Sequence, residues 1–107
     1  MSAHTPTPAQ ITVAVQALRD DAARWARGAS HLQEASTHVA SATLPADAFS
    51  ALGSDMAHAY AALRSRVGAL LDAATTNYVA VAAALHESAD TYESEERANA
   101  HRLRHLY

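Results

Sequence analysis

Cysteine and lysine are both absent from the 107 residues, and glycine and proline occur only three times each. Without cysteine there is no disulfide framework and no thiol chemistry, which leaves the redox compartment open. Without lysine, eight arginines face eleven acids for a net charge of −3. That balance builds no strong field for nucleic acid or an anionic membrane. So few backbone breakers favour long helices. No run of about 18 apolar residues is present, and Met1 to Ala9 lacks both a basic n-region and an apolar h-region. The expectation is therefore neither a cleaved signal peptide nor a membrane span.

Reaction chemistry is missing as well. Serines and histidines lie on alanine-rich stretches with no nucleophile turn and no glycine-rich phosphate loop. His101 and His105 are spaced i,i+4, and His31 and His38 stand two turns apart. A zinc site needs three or four ligands, and neither pair has a carboxylate or third histidine beside it. We expect no enzyme activity, no metal and no cofactor, so function falls to packing and recognition.

What the chain does have is helical periodicity. Hydrophobic residues make up 50% of it, but alanine supplies more than half of these. Alanine removes little surface from water when buried, so a lone pair of such helices has a thin core. It wants a second pair. Met1 to Pro6 reads as a disordered arm, residues 1–6. Thr7-Pro8-Ala9-Gln10 then starts a helix: Thr7 caps free amides, Pro8 needs no N–H, and Gln10 bonds back. Ile11, Val15, Leu18, Ala22, Trp25, Ala29, Leu32, Ser36 and Val39 come next at steps of 4-3-4-3-4-3-4-3, an unbroken heptad seam. We expect Ser36 to bond a carbonyl one turn back. Arg19, Asp20, Asp21, Arg24 and Arg27 are assigned to solvated outer faces.

Leu44-Pro45-Ala46-Asp47 ends the first helix at about residue 43, because proline excludes helical dihedrals at Leu44. Thr43 or Asp47 caps the next helical segment. The bend covers about 44–54, with Phe49 and Leu52 plugging the closed end. Gly53 permits a turn or a close backbone approach. The second helix, about 54–96, has the stripe Met56, Tyr60, Leu63, Val67, Leu70, Ala74, Tyr78, Val81, Leu85. Gly68 lies off that stripe and weakens the helix unless it admits a neighbour. The first helix, about 7–43, reaches ~55 Å at the helical rise. The second is longer, so Glu87 onward should project beyond its partner. Residues 97–107 form a C-terminal tail, and acids succeeded by bases favour a frayed helix there.

The expected fold is all-α, an antiparallel two-helix hairpin that dimerises into a four-helix bundle. Leu18, Trp25, Leu32 and Val39 on the first helix, with Tyr60, Leu63, Val67 and Leu70 on the second, are assigned to the partner interface. Trp25 serves equally as hairpin core or as anchor for the second hairpin. Beyond the apolar stripe, Asp90-Thr91-Tyr92-Glu93-Ser94-Glu95-Glu96 leaves one tyrosine among acids. Tyr92 and Glu96 form Y-x-x-x-E, one turn apart on a shared face. The pair alone is commonplace; its place at the end of the second long helix gives it meaning.

In this the chain resembles the WXG-type helical hairpins exported by type VII (ESX) systems of actinobacteria, and it looks closest to the EspC-like branch. The matching stretches are residues 44–53 at the bend, with Pro45, Phe49, Leu52 and Gly53, and residues 88–96 at the tail. No Trp-x-Gly stands at the bend; Trp25 and Gly28 are a mid-helix pair. The EspC-like branch commonly lacks that motif, with Phe49 and Gly53 here at the corresponding place. The resemblance implies export without a cleaved signal peptide, from the cytoplasm to the cell surface or medium. It implies an export signal on Tyr92 and Glu96, read by an ATPase of the secretion machine. It also implies a second helical hairpin as partner, in a homodimer or a heterodimer. The alternative is a cytoplasmic helical adaptor or toxin-partner protein whose Y-x-x-x-E is incidental.

Overall fold

A computed structural model describes residues 6–49 and 53–106, apart from the side chains of Ala46, Phe49 and Leu106. The order is α1 (Pro8–Ser41), a short 3₁₀ turn (Ala46–Phe49) and α2 (Ser54–Leu106). The described residues contain no strand. They form two compact units, one of Met1–Ala26 with Ala80–Tyr107 and one of Arg27–Val79. In each unit a stretch of α1 pairs antiparallel with a stretch of α2. The fold is thus an all-α helical hairpin.

Local chemistry sets the helix ends. The Thr7 amide donates to Gln10 Oε1 at 2.8 Å, and the Gln10 amide donates to Thr7 Oγ1 at 3.2 Å. This reciprocal pair satisfies two of the amides that a helix start leaves open. At the other end Ser41 Oγ donates to the His38 carbonyl at 2.9 Å, and Pro45 lies just beyond. Gly53 takes φ +86° immediately before α2, a left-handed conformation that side chains resist. A Cβ added there would meet nothing within 4 Å, so Gly53 serves the turn and not a close approach. The 3₁₀ turn carries Ala48 N–H to the Pro45 carbonyl at 2.9 Å. Leu52 and the Phe49 side chain, assigned to the closed end, lie outside the described residues, as do residues 1–5 of the arm.

In the unit of Met1–Ala26 with Ala80–Tyr107, Val15, Ala22, Ala82 and Ala89 are buried. Ile11, Leu18, Trp25 and Leu85 are half-buried around them. In the Arg27–Val79 unit Ala29 is buried, with Leu32, Val39, Tyr60, Val67, Leu71 and Tyr78 half-buried. The α1 seam therefore keeps to its heptad positions. Its core is mostly alanine, and no described large side chain is fully buried. Alanine lets the helices approach closely but withdraws little apolar area from water.

Within the α2 stripe, Leu63, Leu70 and Val81 do not face α1; they are 61%, 70% and 36% exposed, which leaves Leu63 and Leu70 open to the partner contact assigned to them. Arg64, Leu71 and Ala82 are turned further inward. Two tyrosines in the Arg27–Val79 unit explain the rotation. The Tyr60 hydroxyl donates to the Ala42 carbonyl at 2.7 Å, where the end of α1 leaves that acceptor free. Tyr78 packs on Gly28, the one position of that stretch of α1 without a Cβ. With both rings inward, Leu63 and Leu70 turn outward. Ser36 bonds no carbonyl; its hydroxyl donates to Asp72 Oδ1 at 2.6 Å.

Asp90 and Glu93 do not project beyond α1, because Arg19 holds both. The tail beyond 96 is helical, as its charge order favours: α2 continues to Leu106. Finally, α2 holds an 18-residue window of mean hydropathy 1.3, long and apolar enough by composition to cross a membrane. Alanines raise that average without forming a continuous run of large apolar residues.

Candidate functional site

The Y-x-x-x-E pair lies in the unit of Met1–Ala26 with Ala80–Tyr107. Ala89, fully buried, anchors this stretch of α2 on α1. Helical geometry then sends the neighbours to different flanks. Asp90 and Glu93 go to Arg19, whose guanidinium donates to them at 3.0 and 3.1 Å. Glu93 also meets Arg97, one turn on, at 3.6 Å. The bonds to Asp90 first, then Glu93, hold the Arg19 pKa above its ordinary value, partly opposed by desolvation.

Tyr92 takes the other flank and is 52% exposed. Its ring borders an open groove of about 750 Å³ that includes Ile11, Ala14, Leu18, Asp20 and Asp21. Glu96 is half-buried and borders two smaller grooves, both beside Ile11. Neither Tyr92 nor Glu96 is drawn into the Arg19 ion pairs. The helix thus offers an aromatic ring and a carboxylate one turn apart, beside a wall of aliphatic side chains.

The remaining assigned residues divide between the units. Leu18 and Trp25 belong with Tyr92, both half-buried. Leu32, Val39, Tyr60, Leu63, Val67 and Leu70 belong to the Arg27–Val79 unit. There Leu32, Val39, Tyr60 and Val67 close the hairpin, while Met56, Leu63 and Leu70 form an exposed line at seven-residue intervals. A heptad line is the geometry of a coiled-coil seam. In the same unit, Gly68 borders a groove with Ser36, Val39, Ala61 and Ser65. A Cβ added at Gly68 would meet nothing within 4 Å, so no neighbour in the chain requires glycine there.

Sequence reasoning misses Arg19 and assigns it to solvent. The available signal is its position next to Leu18 and Ala22 in the seam, with Asp90 and Glu93 spaced i,i+3 elsewhere. Only the register between helices makes that signal legible. His101 and His105 do come together, with ring centroids 4.3 Å apart in an edge-on arrangement. Among the described residues no group of three or more histidines and acids is arranged to hold a metal. Comparison with protein-family models, with curated proteins and with solved structures gave no significant match.

Proposed function

We propose that the chain is a type VII secretion substrate, or a secretion-associated hairpin protein, acting by protein–protein contact. Tyr92 and Glu96 are its export signal, read by an ATPase of the secretion machine, and a second helical hairpin is its partner. The protein leaves the cytoplasm for the surface or medium without loss of a signal peptide. The observation that carries this reading is the half-exposed Tyr92 ring, set one helical turn before Glu96 and outside the Arg19 ion pairs. A tyrosine used only for packing would turn inward, as Tyr60 and Tyr78 do. The exposed Met56–Leu63–Leu70 line supports the partner half of the proposal, since three large apolar residues at heptad spacing suit another helix.

The test is export of Tyr92→Ala from the native host. The variant should keep its helicity and lose secretion. Continued secretion would sink the assignment and favour the cytoplasmic adaptor.

A further inference from the structure

The surroundings of Tyr92 carry a charge pattern that the export reading does not use. The groove beside it has an apolar floor of Ile11, Ala14 and Leu18, with Asp20, Asp21 and Arg24 also bordering it. A second concavity on the outer side of the same ring lies between Glu87 and Glu95. Along α2, residues 87–96 contain five acids and no base, whereas 97–105 contain Arg97, Arg102 and Arg104 and no acid. Leu103, 57% exposed, stands eleven residues after Tyr92. Eleven residues are close to three full turns, so both side chains share a face.

One molecule therefore carries an apolar groove on its acidic stretch, with Arg24 at the border, and an exposed leucine on its basic stretch that also borders Ile11 and Glu96. It cannot join them itself. The helix is continuous from Ser54 to Leu106, and eleven residues separate the two side chains by ~16 Å along its axis. Another copy can join them, in one orientation. Parallel helices would set acids on acids; antiparallel helices set the acidic stretch of each on the basic stretch of the other.

We propose that two copies associate antiparallel through the C-terminal ends of α2. Leu103 of each enters the groove beside Tyr92 of the other, and Arg102 of each faces Glu95 of the other. The contact is isologous, with its two-fold axis near Ala98, so both grooves fill at once. Both charges are available. Glu95 is exposed and has no ion pair, and Arg102 bonds only the neutral Asn99, at 2.9 Å. Few side chains take part, fewer than the ~800 Å² per partner of a standard stable complex demands. The dimer is weak and salt-sensitive. It also covers Tyr92, so on the export reading the self-associated form is silent and exchange for another partner uncovers the signal. Only that consequence rests on the export reading; the interface does not.

The experiment is sedimentation equilibrium of the full chain from micromolar to millimolar concentration, with circular dichroism to verify helicity. The chain should dimerise reversibly. Glu95→Arg and Arg102→Glu should each weaken the dimer roughly tenfold by opposing like charges, and the double variant should recover it. Leu103→Glu should leave a monomer. A wild-type chain that stays monomeric, a dimer indifferent to these changes, or a double variant no better than the singles overturns the proposal. Secretion by Tyr92→Ala would sink the export reading and leave these association results standing.

Discussion

Gly28 lies against one edge of the Tyr78 ring. A Cβ built on Gly28 would stand 2.8 Å from Cδ2 and from Cε2 of that ring, inside van der Waals contact. The glycine interrupts an otherwise good helix former, yet its missing side chain makes room for the aromatic ring. Two effects oppose each other when alanine is put there. Helix propensity gains up to ~1 kcal/mol, while overpacking typically costs ~1–3 kcal/mol. The ring is bulky and the contact is with its side, so the clash should win. Gly28→Ala should lower the urea midpoint, and Gly28→Ala with Tyr78→Leu should recover part of the loss. A Gly28→Ala chain more stable than the parent would show that the ring moves away freely.

Arg19 is the next test. It spans α1 and α2 where the buried residues are mostly alanine, so two charge-assisted hydrogen bonds help to fix the register there. Arg19→Ala should raise amide exchange in residues 87–106 and leave residues 60–78 near their original rates. Arg19→Lys should restore only part of the protection, because one ammonium cannot reproduce the planar fork. Hydrogen-exchange mass spectrometry reads both. The sign of the shift sets the pH dependence. The folded-state pKa of Arg19 is raised, so its contribution is fully present below the ordinary arginine value and is lost only as pH rises through the folded value. Between neutral and moderately alkaline pH, deprotonation of Arg19 should therefore cause no loss of protection in 87–106.

The α1 helix was legible almost residue by residue, because one heptad series had no competitor. Val15, Ala22 and Ala29 are its buried members, and the Thr7–Gln10 box marks its start. The inward face of α2 was not. Adjacent apolar residues, Leu70 with Leu71 and Val81 with Ala82, allow two stripes that differ by about 100° of rotation. Periodicity cannot choose between them. The choice is made by contacts between segments far apart in sequence, Tyr60 with Ala42 and Tyr78 with Gly28. The Tyr92–Glu96 turn was readable because it depends only on the helix that carries it.

Gly53 offers a purely backbone test. At φ +86° an alanine incurs the left-handed penalty, ~1–2 kcal/mol, with no side-chain contact to complicate the result. Gly53→Ala should be destabilised by about that amount in urea, and Gly53→Asn by less, since asparagine tolerates this conformation better. Equal stability of all three chains would mean that the turn adopts another conformation.

Leu63 and Leu70 separate folding from association. Both are exposed in the Arg27–Val79 unit and lie outside the α1 contact. Substitutions at such positions usually change stability by less than ~0.5 kcal/mol. Leu63→Ser with Leu70→Ser should therefore unfold at nearly the parent midpoint at low concentration. In a complex with a second hairpin the same leucines become a seam, and their loss removes ~1.5–3 kcal/mol of burial for each. The double variant should bind such a partner far more weakly, read by calorimetry or light scattering. Arg66→Ala, elsewhere on the same exposed stretch of α2, should leave binding nearly unchanged. If the double serine variant unfolds early as a monomer, those leucines belong to the hairpin after all. If it binds the partner undiminished, the Met56–Leu63–Leu70 line is not the contact surface.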